Sequence, residues 1–406
     1  MIRGLLLSIF FLLPHISFPG LSRYPIRPAD FLLLVAIFLV SCNSIKFKAN
    51  DHLAYASLIT LFFAAASIVW GYVYLNFQHL DTIFVNGERV FYLSIAIKKL
   101  ALLFICLSGF HLVIHSRQVK NEILFRYWFY GLIFAFLMQI LIYAFDFPLL
   151  MKRAGVFDEG NFGGSYYLLT FFLMWIANKE LFSFGKIGMV TSFAGLLLTQ
   201  STAAMVIVIA LLAIHVLLSV FDRNGRWRFR VRPLILFIVT ITLVLILFGN
   251  DLTDKLLGEE LSDNSYSRYD RLSSILSALG MFADSPLFGV GIQGYSFALP
   301  NHSNEFLDNF FNYDSQRIAN NIYAQLLAEQ GLVGISIMLY LFYNIVRPSF
   351  VYGANRELVL LGFTSVLLSW LAFPSYTNTF HWLGFALLFR VSRCSSIRMK
   401  DAVESH

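Results

Sequence analysis

The chain alternates long apolar stretches with short polar breaks from one end to the other. A helix that crosses a bilayer needs roughly 20 mostly apolar residues, because its backbone must satisfy its own hydrogen bonds where there is no water. Runs of this kind fall near residues 4–18, 29–42, 53–72, 91–114, 123–147, 163–178, 186–199, 202–220, 233–249, 331–346, 357–373 and 379–392. The pattern predicts an all-α polytopic membrane bundle of about twelve transmembrane helices with one large helical loop. It divides the chain into a bundle over 1–249 with a short loop near 147–162, a large loop over 250–330 carrying amphipathic helices, and closing membrane helices with a tail over 331–406. The first run, with Arg3 and Pro14 around a short apolar core, has the outline of a signal peptide. No small-x-small cleavage site follows it, so a retained signal anchor is expected.

Composition agrees with the pattern. Hydrophobic residues make up 58% of the 406 positions and charged residues 13%, whereas about 25% of a soluble domain is charged. The three cysteines, Cys42, Cys106 and Cys394, lie in or beside apolar runs without metal-site or disulfide spacing, and read as packing residues. A formal charge of +6 raises nucleic acid as a partner, but the basic residues are spread among loops and form no stripe, so none is expected.

Topology explains the charge better. With both termini cytoplasmic, the inside segments hold 19 of the 30 Lys and Arg residues, including the cluster from Arg223 to Arg232. Arg153, Lys152, Arg268, Arg271 and Arg317 then lie outside, against the trend, and an anionic ligand on that face would account for them.

The shorter outside loop reads Lys152-Arg-Ala-Gly-Val-Phe-Asp-Glu-Gly-Asn-Phe-Gly-Gly164. An Arg guanidinium can clamp a phosphate with two hydrogen bonds, and glycines let backbone amides approach it. Arg153 suits that role; Lys152 suits it or ordinary anchoring of a helix end at the interface. In the large loop, Tyr269, Leu272, Ile275, Leu276, Leu279 and Phe282 share one helical face, with Asp270, Ser273, Ser274 and Ser277 opposite. This predicts an amphipathic helix lying on the membrane domain, with Arg268 in its apolar face and Arg271 on the edge, placed for lipid headgroups or for a ligand. Gly289, Gly291 and Gly294 make a Gly-x-Gly-x-x-Gly run, but no buried strand of a βαβ unit precedes it. It is expected to be a turn-rich connector whose glycines hold the Arg helix against the spans.

The loop ends at a helix that re-enters the membrane near Gly331, with Asn320 and Asn321 at its outer end, where Asn is commonly a cap. Lys98 and Lys99 interrupt the fourth apolar run; cations at that depth usually face a cavity or a partner, and a lipid phosphate is a candidate. His302, Glu305, Asp308 and Asp314 are available as acid or base, and nothing in the sequence ranks them.

In order, Arg153-Ala-Gly-Val-Phe with Asn161, the Arg268 to Tyr295 segment with Pro286-Leu-Phe-Gly-Val-Gly, and Asn321 to Gly334 resemble the O-antigen polymerase and ligase superfamily of membrane glycosyltransferases. Arg153 and Gly164 also stand in an Arg, ten residues, Gly spacing similar to a periplasmic-loop motif of Wzy-type polymerases, although Arg268 is one residue too far from Gly280 for a second copy. Ligases carry a His-Asn pair where this chain has Asn320-Asn321, and an Arg after a Thr/Ser pair where it reads Thr199-Gln-Ser-Thr-Ala203. The resemblance therefore favours polymerase over ligase.

It implies a GT-C-like fold in a bacterial inner membrane and metal-independent transfer without a cofactor. A glycan on undecaprenyl pyrophosphate would move to the next lipid-linked repeat on the periplasmic face. The implied partners are these lipid-linked glycans, membrane lipid and a chain-length regulator. The expected catalytic residues are Arg153, Arg268 and Arg271 for the pyrophosphates, with Glu159 or Asp270 as base; Lys152, Asn161, Lys98, Lys99, Asn320 and Asn321 would bind substrate. A carrier or flippase would instead show related halves and helices broken near the midplane.

Overall fold

In the computed structural model the described residues are 2–13, 28–41, 52–85, 88–116, 119–145, 157, 160–181, 183–220, 235, 237–242, 244, 263–302, 317–350, 356–372 and 376–404. Helices dominate: α1 (Ile2–Leu12), α2 (Pro28–Ser41), α3 (His52–Phe77), α4 (Tyr92–His115), α5 (Asn121–Phe145), α6 (Gly160–Glu180), α7 (Gly185–Leu198) and α8 (Thr202–Val220). After the basic cluster come α9 (Asp263–Asp284), α10 (Ile322–Val346), α11 (Arg356–Ser369) and α12 (Thr379–Glu404). Among the described residues four helical stretches are long and apolar enough to cross a membrane by length and composition, namely His52–Phe77, Tyr92–His115, Asn121–Phe145 and Ile322–Phe350. Shorter apolar helices cover Pro28–Leu39, Gly185–Leu198 and Thr202–Leu218.

The polarity of the molecule is that of a membrane protein. Large apolar side chains point away from the protein along the long helices, with Phe62 78% and Phe77 88% exposed. Where lipid is the solvent, helices associate through close packing of small residues rather than through hydrophobic exclusion. Gly195 accordingly takes the ring of Tyr167, and Gly164 takes Ser201, just before α8, and Ala204 in its first turn.

One element is unlike the helical expectation. Thr82–Val85 (β1) pairs antiparallel with Glu88–Phe91 (β2), and the register Val85↔Glu88 leaves two residues between the strands. Those residues are Asn86 and Gly87, the dipeptide that best fits the φ > 0 positions of a type I′ hairpin. The hairpin leads directly into α4, whose first residue, Tyr92, donates its backbone N–H to Asp81 O at 2.9 Å.

At the other end of α4 a single arginine fastens the turn into α5. Arg390 of α12 donates to Asn121 Oδ1 at 2.7 Å, Val113 O at 2.8 Å and Val119 O at 2.7 Å. Acceptors in a turn between helices have capacity to spare, and a guanidinium can meet several at once; Val113 O here also accepts from Ser116 N–H.

Candidate functional site

The helix α10 is broken. Gly331 has φ 62° and ψ −162°, which interrupts the helical hydrogen bonds on both sides of it. At membrane depth the freed backbone groups need partners. The glycine segment that follows α9 supplies them: Val290 N–H donates to Ala328 O at 2.8 Å and Gly291 N–H to Glu329 O at 2.8 Å, while Leu332 N–H donates to Pro286 O at 2.9 Å and Val333 N–H to Leu287 O at 3.2 Å. The segment is wedged against α3 on its other side, where Trp70 Nε1 donates to Gly289 O at 2.8 Å and Ser67 Oγ accepts from Ile292 N–H at 3.2 Å. Glycine is required by contact as well as by φ: a Cβ on Gly291 would overlap Gly71, and one on Gly331 would overlap Leu287 O. The Gly-x-Gly run is thus a connector, as its sequence context indicates, and its function is to plug a break in a membrane helix.

Anchored by that plug, α9 packs along α10 with an unexpected face. Ser273, Ser274, Ser277, Ala278 and Met281 are buried, whereas Tyr269, Leu272, Leu276 and Leu279 are exposed. The apolar stripe read from the sequence therefore points away from the protein, not onto it. An apolar face marks the core only where water is the outside; beside lipid the small polar face packs inward and the apolar one outward. The exposed stripe continues into Leu287 and Phe288.

Asp270 lies on the packed face, and its carboxylate gathers the outer end of α10. Arg317 donates to Asp270 Oδ1 at 3.0 Å and Asn320 Nδ2 donates to Oδ2 at 3.1 Å. Asn320 adopts φ 51°, the left-handed region that Asn tolerates better than most residues. Asn321 is the N-cap of α10: its Oδ1 accepts from Tyr323 N–H at 2.9 Å and Ala324 N–H at 3.1 Å, and its amide reaches Leu371 O at 3.3 Å. Arg271, next to Asp270, is partly buried and has no ion-pair or hydrogen-bond partner for its guanidinium among the described residues. Tyr295 closes the cluster by donating from Oη to Ser274 O at 2.9 Å. Burial holds its phenol well above the ordinary tyrosine range, the charge of Asp270 adds to that and Arg317 offsets part of it, so Tyr295 remains a donor at neutral pH.

Arg268 belongs to α9 by its backbone. Its side chain, and the whole of Lys152, Arg153 and Glu159, lie outside the described residues. Asn161 is at the start of α6, where its Oδ1 accepts from Ser201 Oγ at 3.0 Å, tying α6 to the turn before α8. Lys99 sets its ammonium 4.8 Å from the centre of the Tyr376 ring, and Lys98 beside it is partly buried. The structure thus joins Asp270, Asn320 and Asn321 at one place with Arg271 alongside, and holds Lys99 in a separate, deeper cluster.

Three residues outside the expected set complete the picture. Arg317 is the cation that Asp270 holds, and its signal in the sequence was its position three residues ahead of Asn320. Glu329 and Gln325, buried in α10, stand four apart and so share a face, with Gln325 Nε2 donating to Glu329 Oε1 at 2.8 Å. Among the described residues no group of three His, Cys, Asp or Glu side chains is gathered as a metal site would need.

A Ser–His contact elsewhere has the look of a nucleophile and base but the wrong protons. His381 Nε2 lies 2.7 Å from Ser165 Oγ, and Trp370 Nε1 meets His381 Nδ1 at 3.1 Å. Indole N–H only donates, so Nδ1 accepts and Nε2 carries the proton. That proton goes to Ser165, which passes its own to Ser369 at 2.9 Å, and Ser369 ends on Val366 O at 2.8 Å. Every polar atom is used and no lone pair is left to activate Ser165.

Residues 187–339 match the O-antigen ligase family. The match is consistent with the O-antigen polymerase and ligase superfamily that the sequence resembles, and implies a function of that type in a membrane setting. The O-antigen ligase match contains α9, the glycine plug, Arg317, Asn320, Asn321 and the break at Gly331, and leaves Arg153 and Asn161 outside it. No match was found among curated proteins.

Proposed function

We propose that this protein is a polysaccharide polymerase of the bacterial inner membrane, transferring a growing glycan from undecaprenyl pyrophosphate to the next lipid-linked repeat at the periplasmic face. The observation that carries the reading is the junction at the outer end of α10, where Asp270 binds Arg317 and Asn320 while the adjacent Arg271 guanidinium is uncommitted among the described residues. A leaving pyrophosphate develops negative charge, and always-charged arginines in a site shielded from water are suited to stabilise it. Arg271 acts there with Arg268 and Arg153, the last delivered by the short loop before α6. The exposed stripe of α9 rests against lipid, which sets the arginines at headgroup level, where the pyrophosphate of a membrane-bound donor lies.

The proton of the attacking sugar hydroxyl needs an acceptor. Both oxygens of Asp270 are engaged, so its role here is to hold Arg317 and Asn320, which leaves Glu159 as the carboxylate of the original pair for the base. The ligase alternative is disfavoured by Asn320, whose amide stands where a ligase has a basic imidazole and is committed to Asp270. It is disfavoured again at residues 199–203, where Thr199 caps its own helix through Leu196 O at 2.7 Å and Ser201 binds Asn161 in place of an arginine contact.

The deciding experiment is deletion of the coding sequence followed by electrophoresis of surface polysaccharide. Loss of a polymerase leaves single-repeat product. Loss of a ligase leaves no attached glycan and an accumulation of lipid-linked polymer, which would overturn the reading.

A further inference from the structure

Two polar clusters lie along α10. The outer one is the Asp270–Arg317–Asn320 junction; the inner one, centred on Glu329, is seven residues past the first residue of the helix, or about 10 Å along its axis. A carboxylate at that depth is costly and is expected to have a function. Glu329 is 1% exposed, and among the described residues no Lys or Arg lies within ion-pair distance of it. Its Oε1 accepts from the Gln325 amide, and its carboxylate faces the backbone of Gln293 and Tyr295, both in the glycine segment. Its own backbone carbonyl receives Gly291 N–H. One residue of the broken helix therefore binds the plug through its main chain and turns its carboxylate to the plug's backbone.

The plug in turn holds the outer cluster. Tyr295 Oη is bonded to Ser274 of α9, four residues from Asp270, and Ser296 Oγ donates to the carbonyl of Arg317. We infer, resting on the glycan-transfer reading above, that Glu329 is a positioning residue: it clamps the glycine segment to α10 and, through Tyr295 and Ser296, fixes where α9 presents Arg271.

The same geometry separates a clamp from a base. Glu329 Oε2 is enclosed, so a sugar hydroxyl reaches it only if the plug leaves. Oε2, Gln325 Oε1 and Tyr92 Oη, all buried, have no hydrogen-bond partner among the described residues. Replacing Oε2 by an amide nitrogen supplies a donor beside Gln325 Oε1, which lacks one, while the remaining oxygen still accepts from the Gln325 amide and faces the plug's backbone. A clamp tolerates Glu329→Gln. A base does not.

The test uses the full-length protein in proteoliposomes with radiolabelled lipid-linked repeats, together with hydrogen exchange of residues 289–299. Glu329→Gln should keep turnover within about threefold of wild type with the segment protected. Glu329→Leu should lower turnover about 100-fold by misplacing the arginine helix, with KM for the lipid-linked repeat little changed, and should speed exchange at residues 289–295. Tyr295→Phe keeps the ring but cuts the link to Ser274; it should lower turnover about tenfold while residues 289–295 stay protected, and provides the second readout should Glu329→Leu not fold. Glu329→Gln as inactive as Glu329→Leu, with normal protection, would make Glu329 a proton acceptor and overturn the clamp. Wild-type turnover and protection in Glu329→Leu would overturn it as well. If wild-type protein extends no glycan while exchange changes as described, the clamp stands and the glycan-transfer reading falls.

Discussion

The chain from Trp370 through His381, Ser165 and Ser369 and the junction at the outer end of α10 are both polar clusters in an apolar protein, yet they are built on opposite terms. In the first, each donor has its acceptor and the series closes on the backbone carbonyl of Val366. In the second, Asp270 holds Arg317 and Asn320 while the Arg271 guanidinium beside it has no partner among the described residues. A saturated network specifies packing, because every change leaves something buried and unmet. A cluster with a charge left over is prepared for a ligand. The lesson is to ask of a buried polar group what it has not yet bonded, rather than how suggestive its residue types are.

The sharpest break of that comparison is Arg271→Ala. With no partner to lose among the described residues, the variant should insert and fold as wild type, yet glycan extension should drop about 100- to 1000-fold if the guanidinium stabilises the leaving pyrophosphate. The measurement is elongation in proteoliposomes, with the glycan ladder of a complemented deletion strain as its cellular counterpart; an unchanged ladder would remove Arg271 from the site. Gly331→Ala comes next. Its φ and ψ fall in a region that is essentially glycine-only, at a cost of about 1–3 kcal/mol, to which overlap with Leu287 O adds. The expected outcome is faster hydrogen exchange in both the plug and the outer half of α10, with turnover falling in parallel.

The sequence discloses these regions unequally. Membrane class, the main apolar runs and the re-entering helix follow from composition and run length, because the bilayer imposes them on any chain. Asn321 as a cap is a local property and is legible as such. The plug is not: Pro286-Leu-Phe-Gly-Val-Gly and Gly331-Leu-Val-Gly334 each read as a separate glycine motif, and only the fold pairs one with the other, since the pairing is non-local. The hairpin had a signal in Asn86-Gly87, which sits between two membrane runs where helices command attention. The face of α9 was legible as a stripe but not in direction, because periodicity marks the apolar side without saying whether water or lipid lies beyond it. Glu329 carries no local mark at all; its significance comes from the backbone of Gln293 and Tyr295, which the plug turns toward its carboxylate.

A smaller effect is expected at Asp270. Asp270→Asn keeps the shape and one acceptor but removes the charge opposite Arg317, in a pair that is 19% and 27% exposed and so partly screened. A holding role predicts a loss of about tenfold in turnover, whereas abolition of a catalytic base would approach the larger losses typical of removing the reacting proton's acceptor, about 100-fold or more. Steady-state elongation of the purified variant distinguishes the two, and a loss as deep as that of Arg271→Ala would return Asp270 to the chemistry.

The smallest effect should come from Ser165→Ala, and its smallness is informative. The substitution removes a hydroxyl that receives from His381 and gives to Ser369, so the imidazole Nε2–H loses its partner in a site where His381 is fully buried. Stability should fall by about 1–3 kcal/mol, the usual cost of leaving one buried donor unmet, read as a lower midpoint in detergent. Turnover per folded molecule should stay within about threefold of wild type, since the proton on Nε2 already prevents His381 from acting as a base toward Ser165. A collapse of turnover at unchanged stability would show that saturation of hydrogen bonds does not mark structural polar clusters in this protein. The contrast between its two polar regions would then have to be drawn from position along the substrate path instead.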